Sequence, residues 1–315
     1  KGIVSDSFFH DIYKSTSSGK ATLFINHRYF PGFMGNILNS DSKDRFDEFG
    51  DPVKTSPRSE TEKFRDYASW SSLDLLFSED NLAFRGYSVA DDSLNHYLSV
   101  FEGQQPVRFR ADEFLPQNTS FFYNIGLSDK KLYFKRLEDY FMHSGSYYTR
   151  EERLKRFEKG FRNDIREQFR NLVKDQIIIA SSTIPVNPDN KTVYFILHTE
   201  NQAKAEEHMN NMLANYASRN EFETDSLKAD YEPDSKNKVS IYKFPFPSFP
   251  GIWLGAPFFM SRAEYVTFYN ECMIFCNTEQ GLKEYLHSIS NGTVLAKDAA
   301  YLRSVQKSPV RANLN

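Results

Sequence analysis

The chain has 315 residues, 40% of them hydrophobic and 26% charged, with a net charge of −3 and a sequence pI near 6.2. That length suits one large domain or two ordinary ones, and the slightly acidic balance argues against a nucleic-acid partner, which needs a concentrated basic surface. No run of about 20 apolar residues occurs, so no helix of this chain is expected to cross a membrane.

Residues 1–19 are polar and rich in Ser and Thr and read as a peripheral lead-in. Ala21–Asn26 is strand-like, and Tyr29–Leu38 is a short helix opened by Pro31. Residues 39–63 are polar and read as a long loop. Trp70–Phe77 and Asn81–Ser88 are two strands joined by a turn at Ser78-Glu-Asp80, and a helix carrying Leu94, Tyr97, Leu98 and Phe101 starts near Asp91. The pattern restarts at Phe114-Leu-Pro116. Ser120–Leu127 reads as a strand, and Ser128 is placed to cap a helix that carries Leu132, Leu137, Tyr140 and Phe141.

Thr149-Arg-Glu-Glu152 fits a capping box and opens one long helix with Leu154, Phe157, Phe161, Ile165, Phe169 and Leu172 at steps of three or four. Gln176–Ser181 and Thr192–His198 are strands around the turn-rich 185–190. Thr199-Glu-Asn-Gln202 is a second capping box, for a helix burying Ala205, Met209, Met212, Leu213 and Tyr216. A polar loop over 218–237 leads to the strand Val239–Phe244, then to Phe244-Pro-Phe-Pro-Ser-Phe-Pro-Gly251, a last hairpin and a last helix.

Short turns between neighbouring strands favour antiparallel pairing. The expected fold is therefore α+β, antiparallel sheets with helices packed on one face. Leu-x-x-Tyr-Leu followed by a glycine turn occurs at Leu94–Leu98 with Gly103 and at Leu282–Leu286 with Gly292. It suggests two related strand-helix-strand-strand-helix units. The domains expected are the lead-in 1–19, a first unit over 20–113 and a larger second unit over 114–315.

Cys272 and Cys276, read as CMIFC, are the chain's two cysteines and the pair that looks most like chemistry. Tyr265–Tyr269 and Cys272–Cys276 are separated by Asn270-Glu271, the usual length of a hairpin turn. On a strand the two thiols share a face but lie roughly 13 Å apart, too far for a disulfide or one metal ion. They are expected to be small buried apolar residues.

Other candidates dissolve on inspection. Ser18-Gly19-Lys20-Ala21-Thr22 lacks the first glycine of a phosphate loop and the hydroxyl that would hold magnesium. Asp41, Asp44, Asp47, Glu48 and Asp51 miss the spacing of a calcium loop, with Lys43 and Arg45 among them, and read as a solvated loop. The histidines (His10, His27, His96, His143, His198, His208 and His287) are scattered. His198 stands out by ending a strand, although a lone histidine there is more often structural. No catalytic residue, cofactor or metal site is identified. Asn118, Asn190 and Asn291 head Asn-x-Ser/Thr sequences, which matter only in a eukaryotic secretory host.

The aromatic content is high, 29 Phe and 18 Tyr against 2 Trp. Phe and Tyr suit pleated faces and cores, whereas a sugar platform favours Trp. The alternating Pro and Phe of 244–251 predict an extended chain with projecting rings. As a partner-docking surface this stretch offers Phe244, Phe246, Phe249 and Trp253. The competing expectation is a connector whose rings plug the core, because Ile252-Trp-Leu254 continues the apolar run.

From Gly251 the chain reads GIWLGAPFFMSRAEYVTFYNECMIFCNTEQGLKEYLHSISNGTVLAKDAAYL. That order, with Phe114-Leu-Pro-Gln-Asn-Thr-Ser-Phe-Phe122 as a similar strand entry, resembles an uncharacterised family of Bacteroidetes cell-envelope proteins, a domain of unknown function. The resemblance spans about 20–305 and is strongest over 251–302. It implies a protein held in the periplasm or at the surface by an N-terminal anchor, a lipoprotein or membrane-anchored form, with modules after it, and it supplies no catalytic residue. The chain begins Lys-Gly-Ile and stops within Val310–Asn315, which reads as the start of another strand, so both ends read as cut. The leading expectation is a non-enzymatic envelope module that binds or scaffolds another envelope protein or a glycan. The alternatives are a hydrolase or glycan-processing enzyme with a cleft between the two units, and a carbohydrate-binding module using surface aromatics.

Overall fold

The computed structural model describes residues 3–15, 21–37, 43–46, 52–55, 62, 64–78, 81–90, 96–162, 164–183, 191–221, 223–255, 258–305 and 310–314. The fold is α+β with antiparallel sheets. The chain divides into two units: Lys1–Glu102 with Lys135–Tyr147, and Gly103–Phe134 with Tyr148–Asn315. The break falls eleven residues before the expected one at 113/114.

In the first unit the lead-in contains a helix, α1 (Ser7–Ser15). Asp6 caps it by accepting from the Phe8 and Phe9 amides, and it buries Ile12. β1 (Thr22–Asn26) precedes α2 (Phe30–Ile37). The expected loop over 39–63 holds a short hairpin, β2 (Lys43–Phe46) with β3 (Pro52–Thr55). β4 (Trp70–Ser78) and β5 (Asn81–Val89) follow, and the order β1-β4-β5 makes a three-stranded sheet. Phe9 of α1 lies 5.4 Å from Phe24 and 5.0 Å from Trp70, ring to ring, so α1 covers the face that bears those two residues. The helix expected from Asp91 is a 3-10 turn over Tyr97–Phe101, and 91–95 lie outside the described residues. Its repeat partner in the second unit is a full α-helix.

The second unit is built on seven strands in the order β10-β11-β12-β13-β9-β8-β7. Its elements in chain order are β6 (Val107–Arg108), α3 (Ala111–Phe114), β7 (Thr119–Gly126), α4 (Lys130–His143, whose residues from 135 on belong to the first unit), α5 (Tyr147–Phe161) and α6 (Ile165–Leu172). Then come β8 (Val173–Thr183), β9 (Lys191–Thr199), α7 (Gln202–Arg219), β10 (Lys228–Tyr231), β11 (Val239–Lys243) and α8 (Phe249–Leu254). β12 (Tyr265–Tyr269), β13 (Cys272–Cys276), α9 (Glu279–Ser290), α10 (Ala299–Val305) and β14 (Arg311–Ala312) complete it. β14 pairs with β6, so the strand expected at the C-terminal end forms.

Several boundaries move for local reasons. The one long helix expected from Thr149 is two, because Arg162 adopts a left-handed φ of 55° and Asp164 then caps α6 by accepting from the Glu167 amide. α7 is capped by Asn201, not Thr199, whose hydroxyl donates to the Glu271 carbonyl instead. Asp129 rather than Ser128 caps α4, accepting from the Leu132 amide. The polar loop 218–237 contains β10, and the Phe-Pro stretch turns at 245–248 and enters α8 at Phe249 instead of running extended to its end.

Helices cover both faces of the large sheet, where one covered face was expected. One face bears Ile178, Ala180, Tyr194, Ile196, Cys272, Ile274 and Cys276 against Leu282, Tyr285, Leu286 and Ile289 of α9. The other bears Phe195 and Phe275 against Phe169 of α6 and, from the connector, Phe244 and Phe258. Burial on both sides is why β13 is buried at every position, an unbroken apolar run in place of alternation. α9 lies close on its face because Gly281 has no side chain: a Cβ there would stand 2.4 Å from Thr192 Cγ2 and 2.7 Å from Cys276 Sγ.

Candidate functional site

The CMIFC cysteines are as the spacing predicts. Asn270 and Glu271 both take positive φ, 49° and 61°, the two-residue hairpin turn whose twist matches the strands. Cys272 and Cys276 are free, buried and on one face of β13. Burial pushes both thiols up, Cys276 to about 12, which removes the thiolate a nucleophile or metal ligand requires.

A polar cluster of the second unit forms around His198. His198 ends β9 and stands opposite Cys272 in the ladder. Its Nδ1 lies 2.5 Å from Asp175 Oδ1 and its Nε2 3.4 Å from Glu271 Oε2. Asp175 reaches it because β8 is irregular. The register against β9 shifts between Val173 and Ile177. Regular alternation would send residue 175 to the same face as Ile177 and Ile179, opposite His198, and the bulge re-aims it. Glu271 arrives from the β12–β13 turn, so the imidazole joins three pieces of chain.

Phe114 packs tilted against the ring at 5.0 Å, and the Arg110 guanidinium lies over Phe114 at 5.3 Å. Arg110 Nε donates to Glu113 Oε2 at 3.0 Å. Lys174 Nζ stands 3.7 Å from Glu271. Burial alone would raise the Asp175 carboxyl. The hydrogen bond and charge of His198, with Lys174 and Arg110 nearby, hold it net below the usual carboxylate range. Glu271 is lowered too, first by its hydrogen bond from His198 and then by Lys174.

Chemically this is a closed arrangement. The His198 side chain is 0% exposed and each ring nitrogen already faces a carboxylate. Neither nitrogen is open to an incoming substrate, so the cluster ties strands together. Sequence reasoning singled out His198 but could not supply Asp175 or Glu271, which lie 23 and 73 residues away.

Of the two readings of the Phe-Pro stretch, the docking surface is corrected and the connector whose rings plug the core is what forms. Phe244, Phe246, Phe249 and Trp253 are all core residues. Phe249 and Phe134 stack on Trp253 at 5.5 and 5.4 Å, and Phe246 inserts between Phe157 and Phe161 at 4.9 and 5.0 Å. Arg150, itself buried, donates to the Ile252 and Trp253 carbonyls at 2.8 and 2.7 Å and closes the end of α8. Burying an apolar ring is worth roughly 1.5–3 kcal/mol, and that gain outweighs any extended preference of the Pro-Phe repeat.

Of the other candidates, Ser18, Gly19 and Lys20 and most of the acidic run lie outside the described residues, as does Asn190. Asp44 falls on β2. Among the described residues no group of His, Cys, Asp and Glu could hold a metal ion. His27 is buried and paired with Ser71 Oγ at 2.8 Å, while His10, His143, His208 and His287 are exposed, as are Asn118 and Asn291.

Among the described residues, a sheet face of the first unit gathers several exposed apolar side chains. Strand alternation and register place Leu23, Ile25, Leu73, Leu75, Phe77, Leu82 and Phe84 on the face of the three-stranded sheet opposite α1. Phe77 is 67% exposed, Phe84 52% and Leu82 50%. The remaining positions of this face on β4 and β5 are Ser71, Gly86 and Ser88, so it carries no charge. A contiguous exposed apolar patch of this kind marks an interaction site far more often than a scattered Leu does.

No family model, curated protein or solved structure matches the chain.

Proposed function

We propose that this chain is a non-enzymatic module of the cell envelope that binds another envelope component through the first unit. The observation that carries the reading is the uncharged apolar face of β4 and β5, with Phe77, Leu82 and Phe84 half or more exposed. The closed state of the His198 cluster and the raised thiols support it from the other side, because the most reactive-looking groups of the second unit hold structure. The placement in the envelope, outside the cytoplasm and anchored through a segment beyond this chain, rests on the resemblance over 251–302.

The test is site-specific photocrosslinking in intact cells, in the full-length protein. p-Benzoylphenylalanine replaces Phe77, Phe84 or, as a control, Tyr148, which is 84% exposed in the second unit. A discrete adduct in the envelope fraction from positions 77 and 84, and none from 148, is the expected result. No adduct at 77 or 84 would remove the reading.

A further inference from the structure

We propose that the ligand of this face is an extended strand of another polypeptide, which pairs with the outer edge of β5 and sends alternate apolar side chains over Leu82, Phe84 and Phe77. The proposal rests on the binding-module reading and specifies what is bound.

Four observations favour a strand over other occupants. First, β5 is an edge: it pairs with β4 on one side, and among the described residues no strand pairs with its other side. Its ladder with β4 runs without a register shift from Trp70↔Val89 to Ser78↔Asn81, so its outer backbone groups form a straight template. Such edges are normally blunted by proline, a charged side chain or a bulge; β5 has neither proline nor bulge, and its one charge, Arg85, lies on the face opposite Phe84.

Second, the edge and the apolar face are continuous. Leu82 and Phe84 sit on the edge strand itself, so a chain that pairs with β5 places every second side chain beside them. Third, Gly86 is exposed and shares that face. A Cβ there would stand 1.7 Å from the Ser72 carbonyl oxygen, so position 86 cannot itself carry a side chain beside Phe84. A large side chain from a neighbouring strand can cover it.

Fourth, charge and area weigh against the other occupants. The first unit holds 13 Lys and Arg against 18 Asp and Glu. An anionic lipid surface recruits basic patches and would repel this unit, and two copies would repel each other. The exposed side chains of Leu23, Phe77, Leu82 and Phe84 offer roughly 400 Å², about half of what each partner of a stable dimer buries. A strand added at the edge does not depend on that area alone, because main-chain hydrogen bonds supply the rest.

The experiment uses the full chain and a nine-residue peptide of alternating valine and threonine, flanked by lysines for solubility. A second peptide has the same sequence with alternate backbone nitrogens methylated, which keeps the side chains and removes the donors. Binding is read by polarisation of labelled peptide, and site by amide hydrogen exchange. The expected result is saturable binding of the first peptide, at least tenfold weaker binding of the methylated one, and slowed exchange confined to β5. Phe84→Asp and Phe77→Ser should each weaken binding at least tenfold with circular dichroism unchanged.

Equal binding of the two peptides would overturn strand pairing. If crosslinks from positions 77 and 84 persist in that case, the binding-module reading survives and only the strand fails. Slow β5 exchange before any peptide is added would overturn the proposal by showing the edge already covered. Only the β5 amides that point away from β4 count in that measurement, because the alternate ones are bonded to β4. A dimer that Phe84→Asp dissociates, or retention on phosphatidylglycerol vesicles with no peptide binding, would also overturn the proposal.

Discussion

The two carboxylates that face His198 should contribute unequally to stability. Asp175 is the closer, at 2.5 Å, and is 31% exposed, whereas Glu271 is 3.4 Å away and 62% exposed. A hydrogen bond to a charged partner contributes about 1.5–3 kcal/mol when it is shielded, and Asp175→Asn should cost about that. Glu271→Gln, at an exposed turn, should leave stability close to wild type. The chain has 2 Trp, one in each unit, so on a Trp70→Phe background Trp253 fluorescence reports the second unit alone. With a urea slope of about 2–3 kcal/mol/M, the Asp175→Asn midpoint should fall by about 0.5–1.5 M.

The pH dependence carries the sign. The Asp175 carboxyl is held below its ordinary value in the folded chain, so its contribution is present above the ordinary carboxylate range and lost as pH falls through the lowered value. The wild-type and Asp175→Asn midpoints should therefore differ at pH 7 and converge under acid conditions. Two results would refute the reasoning: a Glu271→Gln variant as costly as Asp175→Asn, or a gap between wild type and Asp175→Asn that survives acidification. The second would mean that Asn disturbs the bulge sterically and that the charge is incidental.

Two further outcomes follow from buried groups. Arg150→Ala removes both donors from the last carbonyls of α8 and leaves them buried, so the same urea assay should show a loss of about 3 kcal/mol, with Arg150→Lys recovering only part because an ammonium cannot fork between two acceptors. Cys272 and Cys276 are sealed with thiols pushed up, so Ellman's reagent at pH 8 should label neither in the native chain and both once urea is added. Rapid native labelling would contradict the sealed β13.

What could be read from the sequence depended on the range over which each structure is decided. The β12–β13 hairpin, its two-residue turn and the burial of both cysteines are local, set by Asn270-Glu271 and a run of apolar residues, and they are as expected. The split between α5 and α6 is local too, but its signal is one left-handed Arg162 inside an unbroken apolar periodicity, which pattern counting passes over. The rings of the Pro-Phe stretch plug the core, as one of its two readings expected, but which sheet face they cover stays hidden until α5, α6 and α8 are in place around them. The His198 cluster is wholly tertiary. A bulge in β8 turns Asp175 to the histidine's side, and no spacing within the sequence encodes which face a bulged residue takes. The apolar face of β4 and β5 was present in the sequence as ordinary strand alternation; what it lacked was the information that, among the described residues, His27 closes the Ser71 end of that face while Phe77, Leu82 and Phe84 stay exposed.

The two units use aromatic side chains in opposite ways, and a pair of substitutions separates them. Phe249 is 0% exposed among Phe157, Phe169, Phe244 and Trp253, and Phe249→Ser should cost the second unit about 3–5 kcal/mol. Phe84 stands half exposed on a sheet face, and a surface substitution there should change the stability of the first unit by no more than about 0.5 kcal/mol. Native-state hydrogen exchange of β4 and β5 measures the latter directly. If Phe84→Ser is neutral, the first unit gains nothing from keeping a ring in water, and the face stays open to a ligand. If Phe84→Ser costs several kcal/mol, the face is already covered by this chain in solution, and both the docking surface and the added strand lose their ground.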